Sequence, residues 1–203
     1  MDRKEHWETV YRTKAHDGVS WYESMPETSL ELIAACGLER TAGIIDVGAG
    51  ASALVDGLLD RGHSDVSALD VSAEALAATK ARLGERATGV NWFVSDVTVW
   101  QPDRTFDLWH DRAVFHFLCS PDDREAYRSI LEGALAPGGW AILATFALGG
   151  PPKCSGLNVT RHSEQDLAAF LGPAFRMEQS FTRIHTTPSA IEQEFQWAVF
   201  RRT

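Results

Sequence analysis

Three carboxylates stand behind short apolar runs: Asp46 in "IIDVGAGAS", Asp70 in "SALDVS" and Asp96 in "SDVT". The first run passes into Gly48-x-Gly50-x-x-Ala53, a turn whose glycines let backbone N–H groups approach a ligand closely. Asp70, with Val71 beside it, lies 20 residues past Gly50, where a carboxylate can accept hydrogen bonds from two ribose hydroxyls. Asp96, followed by Val97, falls where an adenine amino group can donate, although an aspartate there can equally cap a turn. The chemistry these spacings point to is the holding of a nucleoside.

Two nucleoside ligands fit. A dinucleotide brings a pyrophosphate to the helix after the turn; S-adenosylmethionine (SAM) brings an amino acid zwitterion. An acidic residue at the loop repels the former and suits the cationic end of the latter, and Asp46 lies two residues before Gly48. This favours SAM, although an aspartate that merely orients the loop fits as well. The chain has no Tyr-x-x-x-Lys set for hydride transfer to NAD.

These residues need strands ending side by side. The apolar runs predict strands at 43–48, 65–71, 90–97, 106–110 and 140–146. Helices are expected near 4–14, from Thr28 to Gly37, and over 51–62, 72–84, 120–135 and 163–172. Thr28-x-x-Glu31 predicts a capping box, and Ser72 and Ser120 predict caps. "APGG" (136–139) reads as a turn. Alternation at 176–184 and 193–201 predicts an antiparallel pair, with Phe195, Trp197 and Val199 on one face. Strands alternating with helices give a mostly parallel sheet covered on both sides, with ligands at the carboxyl ends of its strands.

At 203 residues, the chain is long enough for one domain. The net charge of −9 argues against a nucleic-acid partner, which needs a concentrated basic face. Three cysteines without CxxC spacing suit a reducing compartment. "MDRKEHWETV" has no apolar core, and no run reaches the ~18 apolar residues of a membrane span. A cytoplasmic protein without membrane contact is expected, as a monomer or homodimer.

Taken in order, the motifs resemble the class I SAM-dependent methyltransferases. "IIDVGAGAS" is similar to their first motif, "SALDVS" to the second, "SDVT" to the third, and "LAPGGWAIL" to the Pro-Gly-Gly turn before strand 5. Ser52 stands where the third glycine usually falls, and its hydroxyl can reach the methionine end of the cofactor. The resemblance covers roughly residues 28–203. It implies an α/β fold: a three-layer α-β-α sandwich whose seven-stranded, mostly parallel sheet ends in an antiparallel hairpin, order 3-2-1-4-5-7-6. It implies one domain over 1–203, SAM as cofactor and S-adenosylhomocysteine (SAH) as product. "HWETVYRTK" is also similar to a stretch that covers the cofactor in a subset of the family. Residues 1–27 are therefore expected as a cap, with Trp7, Tyr11 and Trp21 over the cofactor and Tyr22 nearby. The alternative is that these aromatic residues only pack the first helix down.

The resemblance further implies that the residues after strand 4, "DLWHDRAVFHFL", line the methionine part and the methyl acceptor. His110 then belongs to the cofactor shell, Asp111 and His116 are the catalytic candidates, and Arg112, His116 and Cys154 face the substrate. An internal Asp111–Arg112 ion pair and a core role for His116 remain the alternatives. Arg112, Arg161 and Lys153 make an anionic acceptor plausible. No close Cys/His pair suggests a metal. The Asn/Asp-Pro-Pro-Tyr/Phe tetrad of many protein methyltransferases is absent, so a small-molecule acceptor is expected. The alternatives are a protein lysine or N-terminal acceptor, and a SAM-binding protein without turnover.

Overall fold

Every residue of β1 (Ile44–Val47) is buried, which requires cover on both faces of the sheet. The computed structural model describes residues 2–203 and supplies that cover. β1 pairs in parallel with β2 (Val66–Asp70) and β4 (Phe106–Arg112). β2 pairs with β3 (Val90–Val94), and β4 with β5 (Leu135–Phe146). A hairpin of β6 (Phe175–Thr186) and β7 (Glu192–Arg202) closes the sheet, with β7 antiparallel to β5. The seven strands run β3-β2-β1-β4-β5-β7-β6, the expected order. A separate ribbon joins Lys153–Cys154 to Leu157–Asn158.

Successive strand residues point to opposite faces, and two cores result. Ile44, Val66, Leu108, Ile142 and Trp197 pack with α2 (Glu27–Ala35), α3 (Leu54–Asp60) and α4 (Ala73–Leu83). Ile45, Val47, Trp109, Leu143 and Phe200 pack with α5 (Pro121–Ala134) and α6 (Glu164–Leu171). Phe195, Trp197 and Val199 share the first face, as their alternation predicted.

Two local expectations change. The Thr28–Glu31 capping box does not form. The helix starts at Glu27 behind Pro26, so Thr28 lies inside the first turn and its hydroxyl accepts from Arg183 at 2.6 Å. The "APGG" turn is a bulge within one long strand. While β4 advances from Phe106 to Leu108, β5 advances from Leu135 to Trp140, and Gly138 takes φ 73°.

α1 (Arg3–Thr13) clasps the outside of α4. Glu8 accepts from the Ser72 hydroxyl (3.0 Å) and from the amides of Ala73 (2.9 Å) and Glu74 (3.2 Å). A carboxylate there both satisfies orphan N–H groups and suits the positive helix end. Arg3 reaches Asp96 at 2.6 Å and Asp123 at 2.9 Å. Partly exposed pairs contribute only about 0–1 kcal/mol each, so the Glu8 cap and buried Val10 carry much of the docking.

Candidate functional site

The turn after β1 is fixed from two sides. The Gly48 and Ala49 amides donate to the Leu69 carbonyl at 2.7 and 3.0 Å, and the Gly50 amide donates to Asp70 Oδ2 at 2.8 Å. From α4, Thr79 Oγ1 donates to the Gly50 carbonyl at 3.0 Å, while Arg82 donates to the carbonyls of Ala51 (2.9 Å) and Ser52 (2.7 Å). Gly48 and Gly50 have φ 67° and 52°, and a Cβ on either would run into Val114 or the Tyr11 hydroxyl. The Ser52 hydroxyl accepts from the Leu54 amide at 3.1 Å, opening α3.

Across the strand ends lies a cleft with about 820 Å³ of empty space, part of it open to solvent. The sheet order sets its long axis. The β2–β3 side supplies Asp70, Val71, Asp96 and Val97; the middle is Gly48 beneath Trp7, Tyr11 and Trp21; the β4–β5–β7 side supplies Arg112, Phe146, Gln193 and Phe195, with Cys154 from the ribbon. Each Asp70 oxygen accepts one amide at 2.8 Å, from Gly50 and from Ser72. That leaves further lone pairs for donors in the cleft. Burial pushes this carboxyl up to about 6, against the pull of the two amides. Asp96 both lines the cleft and caps its own turn: Oδ1 accepts from the Thr98 amide (2.9 Å) and hydroxyl (2.8 Å), and Oδ2 holds Arg3. Trp7 meets Trp21 and Phe117 edge-on, at centroid distances of 5.6 and 5.1 Å.

A second cavity of about 540 Å³ shares Tyr11, Trp21, Gly48 and Arg112 with the first. Its polar wall comes from β1 and β4, whose register pairs Asp46 with His110. His110 Nδ1 lies 2.7 Å from Asp46 Oδ1, and its Nε2 lies 2.9 Å from Ser29 Oγ. With the carboxylate accepting at Nδ1, a neutral ring accepts the Ser29 hydroxyl at Nε2. The three are 3%, 2% and 0% exposed for Asp46, His110 and Ser29. The nearby Gly48, Ala49 and Gly50 amides are already committed to Leu69 and Asp70, so they cannot hold an oxyanion beside Ser29. This chain of bonds orients side chains along the cavity wall.

The residues after His110 separate by face. β4 runs on through Arg112, so Asp111 and Arg112 point to opposite sides and form no ion pair with each other. Asp111 turns to α5: it accepts from the Val114 amide (2.8 Å), the Phe115 amide (3.1 Å) and the Tyr127 hydroxyl (2.6 Å). Burial pushes its carboxyl up to about 6. His116 is also fully buried, among Phe117 and Phe146. Its Nδ1 accepts from the Phe146 amide at 3.3 Å, its Nε2 has no partner, and burial pushes its pKa down to about 3. Neither catalytic candidate lines either cavity.

Arg112 lines both cavities. Nη1 donates to the Trp21 carbonyl at 3.0 Å, and the guanidinium stacks over Phe195 at 5.1 Å. Nη2 lies 3.2 Å from Glu23 Oε1, outside hydrogen-bond geometry, and Nε has no partner. Glu23 also faces His185 Nδ1 at 3.5 Å. Burial pushes the Cys154 thiol up to about 11. Lys153 is exposed, and Arg161 braces the carbonyls of Leu148 and Gly150, so neither joins the cleft wall. Ser29, Glu23, Gln193 and Phe195 enter the site without any sequence motif to announce them.

Residues 44–139 match the model of the family described as "Methyltransferase domain". Two malonyl-[acyl-carrier protein] O-methyltransferases of Ilyobacter polytropus are similar. Number 2 is 25% identical over 53% of this chain, and number 1 is 23% identical over 90%. The chain spans 40% and 63% of their respective lengths. The 1,6-didemethyltoxoflavin-N1-methyltransferase of Burkholderia thailandensis shares the fold, with a TM-score of 0.73 and 24% identity over 98% of this chain and 87% of that one. With the glycine turn, the strand-end carboxylates and the closing hairpin in the same order, the chain carries a stretch that matches the methyltransferase-domain model and shares the fold of the class I SAM-dependent methyltransferases.

Proposed function

We propose that the protein transfers a methyl group from SAM to a nucleophile on a small molecule. The observation that carries this reading is the cleft itself. A buried carboxylate, Asp70, stands beside a positive-φ glycine turn at one side, and the space continues past an aromatic roof to a separate group of side chains on β4, β5 and β7. Asp70 is placed to accept from ribose hydroxyls, and Val71 and Val97 supply apolar surface for an adenine. The glycines supply the fit: the turn's close packing leaves no room for side chains at 48 or 50. SAM, when bound, supplies a methyl group made electrophilic by a sulfonium. Trp7, Tyr11 and Trp21 exclude water, and the walls align the acceptor.

A small acceptor is supported by the similar enzyme named for 1,6-didemethyltoxoflavin, and the relatives named for malonyl-[acyl-carrier protein] point to a small acyl group borne on a carrier. A second reading, SAM binding without turnover, is favoured by one observation: Asp111 and His116 stand outside the cleft. Calorimetric titration with SAH tests cofactor binding, and methyl-labelled SAM incubated with a metabolite extract tests transfer. Binding with transfer is expected. Binding without any labelled product supports the second reading, and failure to bind SAH removes both.

A further inference from the structure

Two features of the cleft converge on the acceptor. The first is the Arg112 guanidinium, buried where the two cavities meet, with Nε and Nη2 lacking hydrogen-bond partners. A buried guanidinium is a two-pronged donor that suits a carboxylate. Glu23, the carboxylate within 4 Å of it among the described residues, sits off-geometry at 3.2 Å and also faces His185. Arg3, the other cationic residue of the first cavity, is held by Asp96 and Asp123. The second feature is chemical. Among the described residues that line the first cavity on its β4–β5–β7 side, there is no carboxylate and no imidazole to serve as a general base. Asp111 and His116 face away, and the Cys154 thiol is held protonated by burial. An acceptor that must lose a proton needs such a base; one already ionised does not.

We infer, on the reading that this cleft performs SAM-dependent methyl transfer, that the acceptor is a carboxylate received by Arg112 in place of Glu23. The step balances without a proton. A carboxylate oxygen forms the new C–O bond, the methyl–sulfur bond breaks, and its electron pair stays on sulfur, giving a methyl ester and SAH. Glu23 acts as the internal counter-ion that keeps Arg112 paired until the acceptor displaces it.

The test uses the full chain saturated with SAH and titrated calorimetrically with benzoate and hexanoate, each against its amide. The carboxylates are expected to bind at least about tenfold more tightly than the amides, the scale for leaving a buried charge unpaired. Arg112→Gln should remove that preference and leave SAH affinity within about twofold, while Glu23→Gln should tighten carboxylate binding. Equal binding of acid and amide, no binding of either carboxylate, or weaker carboxylate binding by Glu23→Gln overturns the inference. An Arg112→Gln loss confined to SAH places this arginine on the cofactor's own carboxylate and overturns it too. A separate readout uses methyl-labelled SAM and a metabolite extract. Label released as methanol by mild alkali marks an ester, whereas alkali-stable label contradicts the inference. If SAH binds but no label transfers, the reading of the activity fails, and the titrations still decide the role of Arg112.

Discussion

Asp70 shows how one side chain links fold and ligand. Its folded pKa of about 6 lies above the ~3.9 of an unfolded aspartate. Its contribution to stability is therefore present below pH ~4 and lost as pH rises through 6. Ribose binding asks for the opposite protonation state, since only the carboxylate accepts from two hydroxyls. SAH affinity should be flat above pH ~7 and fall as pH drops through 6, approaching tenfold per unit. Asp70→Asn should bind weakly and without that pH dependence; a wild-type profile flat down to pH 5 would separate Asp70 from the ligand. Of the candidate residues, Asp70, Asp96, Gly48 and Gly50 were legible in the sequence because their geometry is set by a strand end and a turn. Asp111 was not, because its surroundings come from α5, sixteen residues further on.

At the level of elements, the length of β4 decides which side chains meet the cleft. Ended at His110, it leaves Asp111 and Arg112 as neighbours on a turn; extended to Arg112, its two-residue alternation puts His110 and Arg112 on one face and Asp111 on the other. The pairing of β4 with β5 up to Ala144 sustains that extension, and apolar patterning along one strand does not report it. The turn expected at 136–139 differs for the same reason: Pro-Gly-Gly breaks regular pairing, and the neighbouring strands carry the chain through it as one strand. The α1–α4 clasp carries a prediction of its own. Glu8→Ala removes a cap that serves two amides and a hydroxyl. It should cost about 1 kcal/mol in urea melts and speed hydrogen exchange in residues 3–13, while the exchange of β1 stays unchanged.

For the whole molecule, buried titrating groups oppose one another. Burial holds His116 near 3 and His162 near 4, below the ~6.5 of an unfolded histidine, so their contribution is lost as pH falls through that range. Asp70 and Asp111, both raised to about 6, act in the other direction. Near pH 5 the native chain holds extra protons on Asp70 and Asp111 and the unfolded chain on His116 and His162, so the contributions of these four groups nearly cancel there. His116→Gln, which keeps an acceptor for the Phe146 amide, should tilt the balance: measured against the parent chain, urea stability gains about 1.4 kcal/mol per unit as pH falls through ~6 to ~4. An unchanged profile would mean that His116 is not held neutral. The strands and the hairpin are legible because each announces itself, and their order follows from the resemblance; the balance of charges is not, since it depends on which side chains the packing submerges. The aromatic roof has a practical use. Trp7 and Trp21 stand on the cleft wall while Trp109 is sealed in the opposite core. The protein thus carries its own optical probe: a ligand entering the cleft should shift the emission of these two indoles over the background of the other five tryptophans, without any attached dye.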